Sequence, residues 1–238
     1  LYLDLFVCGA KPEYEYIRDT YGFAPQVTRY LGLARWDNLL QAGQAPCKKM
    51  ILLMPTWRGS HYPEGEAFLD TPYYKAFDSL LNSARLDALL EQHGYTLVFY
   101  PHIEMQKHLS RFHARSERVV LADSSMYDVQ QLLLDCALLI TDHSSVFFDV
   151  AYLEKPELYY QFDEADYQRY HYQKGYFDFA RDGFGPVCTT EVALLQALET
   201  ALQSGMQMPP EYKARTAAFF PLRDTQNCAR TYEAICGL

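Results

Sequence analysis

The residues best suited to chemistry lie in Leu138-Leu139-Ile140-Thr141-Asp142-His143-Ser144-Ser145-Val146-Phe147-Phe148-Asp149, where an apolar run ends in a polar cluster and a helical pattern begins. In open parallel sheets, ligands sit beyond the carboxyl ends of strands, facing helix N-termini. Free N–H groups there, with the Thr141, Ser144 and Ser145 hydroxyls, suit a diphosphate, and Ser144 is a natural N-cap. A plainer role, that these side chains only cap a helix, stays open on the residues alone. A second cluster, Met54-Pro55-Thr56-Trp57-Arg58-Gly59-Ser60-His61, also follows an apolar run. Arg58 there can grip a phosphate through two N–H groups or be a surface arginine in a turn. The third, Phe99-Tyr100-Pro101-His102-Ile103-Glu104, puts His102 near a helix start. Such a histidine serves either a proton transfer near neutrality or a structural hydrogen bond. If the sheet is parallel, all three clusters meet on one rim.

The elements that must position these clusters follow from periodicity. Short aliphatic runs alternate with longer amphipathic ones, the signature of a parallel sheet with crossover helices and hence of an α/β fold. Strands are expected at Leu3 to Cys8, Lys49 to Met54, Thr96 to Tyr100, Val119 to Ala122, Ala137 to Thr141 and Leu158 to Tyr160. Helical patterns run over Tyr73 to Gln92, Met105 to His113, Tyr127 to Leu134, Ser145 to Leu153, Thr190 to Gln203, Pro210 to Phe219 and Asp224 to Cys236. Gly94 suits a helix C-cap. From Gln161 to Gly185 the chain is aromatic and irregular. The simplest partition is a short N-terminal appendage, residues 1–44, and one α/β domain, residues 45–238, joined near Gln41-Ala42-Gly43-Gln44-Ala45-Pro46.

The chain has 238 residues, 49% of them hydrophobic, and a formal net charge of −9. It is long enough to bury a sizeable core. Clustered Lys and Arg of the kind that nucleic acid demands are lacking, so a nucleic-acid partner is not expected. No apolar run approaches the roughly 18 residues of a membrane span. Six scattered cysteines without a C-x-x-C pair suggest a reduced, cytoplasmic setting. The chain starts at Leu1 with no initiator methionine or signal peptide, as expected of a piece cut from something longer. Neither glycine-rich nucleotide fingerprint occurs, nor G-x-S-x-G, H-E-x-x-H or a D-x-D pair. No metal site and no cofactor are expected.

Gly32-Leu33-Ala34-Arg35-Trp36-Asp37, Pro55-Thr56-Trp57-Arg58 and Thr141-Asp142-His143-Ser144-Ser145 resemble three motifs of one family: G-x-P-R-x-D, P-T-W-R and T-D-Y-S-S. Asp149, Lys155-Pro156, Tyr160, Asp163, Tyr167, Gly175-Tyr176 and Gly185-Pro186 continue the register. On these residues the chain resembles the CDP-glycerol glycerophosphotransferases that polymerise teichoic acids, and related capsule polymerases using CDP-activated alditols. It departs from their pattern at Ala34, at His143 and at Pro101-His102, where the family has His-Pro. The family's N-terminal half, with its H-G-x-P-x-K segment, is absent from this chain.

The resemblance implies a Rossmann-like parallel sheet with helices on both faces, the donor-binding C-terminal half of a GT-B fold. It makes residues 1–44 the end of the preceding half and a linker. The donor would be a CDP-alditol, CDP-glycerol or CDP-ribitol, its diphosphate held by Arg58, Thr141, Ser144 and Ser145. Thr56, Asp128, Asp142 and Asp149 complete the implied substrate-binding set, with cytosine against the loop Ala122 to Asp128. An acceptor hydroxyl on a polymer or lipid-linked chain would attack the β-phosphorus and release CMP, with His102 as the catalytic group and the base on the other half. The full-length protein is expected in the cytoplasm, at the inner face of the plasma membrane. Two other functions compete: half of a GT-B glycosyltransferase using another nucleotide sugar, and a non-catalytic nucleotide-binding module.

Overall fold

A computed structural model describes residues 3–59, 62–164, 167 and 175–238. Ser60 and His61 of the second cluster, and part of the aromatic stretch after Gln161, lie outside the described residues. Strands β1 (Phe6–Cys8) and β2 (Thr28–Tyr30) pair in parallel, flanked by helix α1 (Lys11–Thr20). Helix α2 (Arg35–Ala42) leads into a six-stranded sheet of β3 (Met50–Leu53), β4 (Thr96–Phe99), β5 (Val119–Leu121), β6 (Leu138–Thr141), β7 (Glu157–Tyr160) and β8 (Val187–Cys188). The spatial order is β5-β4-β3-β6-β7-β8 and every pairing is parallel. Successive strands run outward from β3 one way and from β6 the other. The winding therefore reverses between β3 and β6, the switch point at which such sheets leave a crevice for ligands.

Side-chain alternation sends Ile51, Leu53, Leu97, Phe99, Leu138 and Ile140 to one face and Leu52, Val98 and Leu139 to the other. Helices α3 (Pro72–Leu81), α4 (Ala84–His93) and α8 (Glu191–Gln203) cover the first face. On the second lie α2, α5 (Val129–Asp135), α6 (Phe147–Tyr152) and α9 (Pro210–Phe219). With both faces covered, the central strands read as unbroken apolar runs. A short helix α7 (Phe179–Asp182) precedes β8, and α10 (Asn227–Cys236) closes the chain.

Several boundaries differ from those the sequence suggests. The helical pattern from Tyr73 to Gln92 is two helices, because the Ser83 side chain accepts from Leu86 N and starts a new one after Asn82. Gly94 does cap α4, at φ +70°. The pattern from Met105 to His113 forms a 3₁₀ helix over Ile103–Arg111, begun by the Met105 N–H to His102 carbonyl bond. Strands β2 and β8, of three and two residues, are too short to show a period of two.

Residues on both sides of position 44 pack together. Trp36 and Leu39 of α2 join the second-face core, and the buried Asp37 accepts from Asn227 N, Asn227 Nδ2 and Cys228 N at 3.0, 2.7 and 2.8 Å. Gly32 allows this closure, since a Cβ there would stand 1.8 Å from Asn227 Oδ1 and the backbone φ is +77°. The six cysteines form no disulfide, and among the described residues no helix is long and apolar enough to cross a membrane.

Glu157, 1% exposed in β7, has one carboxylate oxygen bonded to the Tyr159 hydroxyl at 2.8 Å. Burial pushes its pKa well above the ordinary value near 4.5. A raised native pKa contributes stability below the unfolded value and loses it as pH rises. Glu157→Gln should therefore melt at a higher temperature than the parent at neutral pH, the gap closing as pH falls toward 4.5. Paired melting curves across that window check this, and a gap independent of pH would refute the assignment.

Candidate functional site

At the switch point the two strand ends are tied through one carboxylate. Asp142, directly after β6, is fully buried. Its Oδ1 accepts from Thr56 N at 2.8 Å and from His143 N at 2.6 Å. The Thr141 hydroxyl donates to the Met54 carbonyl at 2.7 Å, a second tie between the same segments. Burial alone would raise the Asp142 pKa, but Arg58 and the backbone donors outweigh it and the carboxyl is held below the usual range.

Arg58 departs from its expected role. It is 3% exposed, with Nε and Nη2 donating to the two Asp163 oxygens at 2.8 and 3.1 Å and Nη1 to the Thr56 carbonyl at 2.9 Å. Nη2 also lies 2.6 Å from Asp142 Oδ2. Tyr73, Phe162 and Tyr167 rings surround the guanidinium, with centroids 5.2 to 5.8 Å away. Burial opposes its charge, but Asp142 and Asp163 more than offset this and raise its pKa. With its N–H groups turned to Asp163, Asp142 and the Thr56 carbonyl, the fork has no pair left for a phosphate. It braces the loops after β3, β6 and β7 from behind.

The rim in front of this brace is less satisfied. Thr56 Oγ1 is buried with no hydrogen-bond partner among the described residues. Helix α6 begins at Phe147, later than expected, with Val146 and not Ser144 at its N-cap and no side-chain cap; the Ser144 hydroxyl only accepts from Val146 N at 3.5 Å ahead of the helix. Among the described residues the Ser144 and Ser145 N–H groups make no hydrogen bond, and Ser145 is exposed. His143 has its side chain 4% exposed, stacks on Tyr167 with centroids 3.8 Å apart, and lies 3.5 Å from Glu164. Burial lowers its pKa, with Asp142 opposing.

His102 follows β4, and its N–H donates to the Pro55 carbonyl at 3.3 Å. The ring stacks on Trp57 with centroids 6.1 Å apart, while Nδ1 accepts from Glu104 N at 3.3 Å. With Nδ1 an acceptor, the neutral ring carries its proton on Nε2. Thr56, Arg58 and Asp142 are thus joined by direct contacts, Thr141 precedes Asp142 and Ser144 and Ser145 follow it, and His102 meets the same loop through Pro55 and Trp57.

Asp128 and Asp149 lie apart from these. Asp128 caps α5, accepting from Gln131 N at 2.8 Å. Asp149 accepts from Trp36 Nε1 at 2.7 Å and from Arg35 Nε and Nη2 at 2.9 and 3.3 Å, tying α6 to α2. These helices enclose a cavity of about 390 Å³ at the carboxyl edge on the second face, lined by Arg35, Asn38, Val129, Gln130, Val146 and Asp149 among others. Sequence reading misses Asn38, Val129 and Gln130, which carry no motif. Among the described residues, no group of three or more His, Cys, Asp or Glu side chains is arranged to hold a metal ion.

The family model described as CDP-Glycerol:Poly(glycerophosphate) glycerophosphotransferase matches residues 31–237. The minor teichoic acid biosynthesis protein GgaB of Bacillus subtilis (strain 168) is 32% identical, over 99% of this chain and 26% of its own length. A teichoic acid poly(glycerol phosphate) polymerase of Bacillus spizizenii is 32% identical over 63% of this chain and 36% of its own. The chain thus spans about a quarter to a third of the length of these curated relatives. Among solved structures, the wall teichoic acid polymerase TagF aligns over 98% of this chain and 56% of its own with a TM-score of 0.65 and 22% identity. A putative UDP-N-acetylglucosamine 2-epimerase from Listeria monocytogenes aligns over 98% of this chain and 59% of its own, with a TM-score of 0.59 and 16% identity. These two show a shared fold.

Proposed function

Because the chain belongs to the CDP-glycerol:poly(glycerophosphate) glycerophosphotransferase family, we propose that its β3/β6 crevice binds a CDP-alditol donor for transfer of alditol phosphate to a growing polymer. The observation that carries this reading is the unsatisfied rim at the switch point: the Ser144 and Ser145 N–H groups and the buried Thr56 hydroxyl have no partner among the described residues. The N–H groups of the half-buried Ser144 and the exposed Ser145 are open to a ligand, and a buried hydroxyl such as that of Thr56 calls for a partner. A diphosphate accepts from the two serine N–H groups, Ser145 adds its own hydroxyl, and Thr56 joins them where the loop opens to admit it. Arg58, Asp142 and Thr141 act behind the rim by fixing the loops that carry these donors.

The nucleoside is assigned to the cavity lined by Arg35, Gln130 and Asp149, against the loop that Asp128 ends. Both sit on the carboxyl edge of the sheet, and the Asp149 carboxylate is a ready acceptor for ribose hydroxyls. In the reaction, an acceptor oxygen forms a bond to the β-phosphorus as the bond from that phosphorus to the CMP oxygen breaks. His102 Nε2–H donates a hydrogen bond to the departing phosphate oxygen, which leaves as the CMP anion, and a base on the preceding half takes the proton of the acceptor hydroxyl. Donor amides compensate the charge that develops on the transferred group. In this reading residues 1–44 belong to the end of that preceding half, and the full-length protein works at the inner face of the plasma membrane.

A thermal-shift panel tests the assignment. A ligand at 100 times its Kd adds about 2.7 kcal/mol of stability. CDP-glycerol or CDP-ribitol should raise the melting temperature more than any UDP-sugar at equal concentration. A larger shift with a UDP-sugar would make the chain half of a glycosyltransferase, and no shift with any nucleotide would make it a non-catalytic module.

A further inference from the structure

Each face of the sheet opens a cavity at the carboxyl edge, and only one is used above. The other, of about 260 Å³, lies between the loop after β3 and the 3₁₀ helix after β4. Trp57, Glu64, Glu104, Lys107 and His108 line it. Met105, also in its wall, belongs to the first-face core, whereas Leu39 and Val146 of the nucleoside cavity belong to the second. The two cavities therefore open on opposite faces of the sheet, this one beside the β3 and β4 ends.

His108 is the unusual member. It is 6% exposed and stacked on Phe68 with centroids 3.9 Å apart, yet its ring nitrogens make no hydrogen bond among the described residues. Burial lowers its pKa, so it lines the cavity as a neutral ring offering one donor and one acceptor. Its nitrogens face the cavity, where a ligand's hydroxyls can take the place of water. Around it stand the paired Lys107 and Glu64, the exposed Glu104 and the Trp57 indole that also stacks on His102.

The chemistry of this lining selects its occupant. Two carboxylates disfavour a phosphate. Hydroxyl groups, which both donate and accept, match the carboxylates, the ammonium and the neutral imidazole together. The C–H edge of a carbon chain can lie on the indole. We infer that this cavity binds the short polyol chain of the donor, on the opposite face of the sheet from its nucleoside. The inference rests on the assignment of the crevice to a CDP-alditol, and the Trp57 wall shared with His102 puts the polyol next to the phosphate being transferred.

Isothermal titration of the chain with CDP, CDP-glycerol and CDP-ribitol tests it, using the parent, Glu104→Gln and His108→Gln. The parent should bind at least one CDP-alditol about tenfold or more tightly than CDP, as expected for a site built to hydrogen-bond hydroxyls. Both variants should shrink that ratio by about threefold or more while CDP affinity stays within about twofold. Glu104 is exposed, so its variant remains readable even if His108→Gln fails to fold. CDP binding with no alditol preference in the parent, or a ratio unchanged in Glu104→Gln, overturns the cavity assignment alone. An unchanged ratio with weakened binding of a glycerol phosphate oligomer gives the cavity to the acceptor's polyol end and overturns the donor assignment. No CDP binding by the parent overturns the crevice reading and this inference together.

Discussion

Arg58→Ala should destabilise the folded chain by about 3 to 5 kcal/mol, the usual cost of removing one partner from a buried ion pair. The guanidinium is the one cation facing Asp142 and Asp163 among the contacts described, and both carboxylates are nearly or fully buried. Taking it away leaves two uncompensated negative charges beside three aromatic rings. Arg58→Lys should recover only part of the loss, because an ammonium cannot bind Asp163 through two parallel N–H groups. The linkage has a definite sign. The Asp142 pKa is lowered in the native state, so this pair contributes stability above the unfolded carboxylate pKa and loses it as pH falls through the native value. Urea unfolding of parent and variants at neutral and acid pH measures both effects. A variant as stable as the parent that binds nucleotide poorly would instead return Arg58 to the phosphate.

His102→Ala, made in the complete two-half protein, should lower turnover by about 100-fold or more, the usual cost of removing one donor that faces charge developing in the transition state. Donor affinity should fall much less, since the rim donors at Ser144 and Ser145 are untouched. The ring also packs on Trp57 and accepts from Glu104 N, so His102→Gln serves as a control for packing. Turnover within about threefold of the parent would confine His102 to capping the 3₁₀ helix.

Much of the scaffold was legible in the chain because buried parallel strands leave a strong signal. The runs through Ile51, Leu97 and Leu139 marked three central strands, and Thr141-Asp142-His143-Ser144-Ser145 marked the rim by following one of them. What stayed hidden are contacts between distant residues. Arg58 meets Asp163 across 105 positions and Asp149 meets Arg35 across 114, and nothing local distinguishes an arginine aimed at a phosphate from one aimed at a buried carboxylate. The break at Asn82 escaped notice because Leu80, Leu86 and Leu90 sustain one apolar stripe across both helices. His108 escaped for a similar reason, since a histidine on a short helix is unremarkable until its ring proves to be buried and unpartnered.

The most direct test of the crevice is titration of the parent and the Ser144→Ala, Ser145→Ala double variant with a CDP-alditol, beside melting curves of both without ligand. The rim assignment predicts that affinity falls by about 1 to 3 kcal/mol, with part of the amide contact surviving, while the unliganded melting temperature barely moves. Equal affinity in an intact fold would contradict it and leave the two serines as solvated residues of the turn before α6.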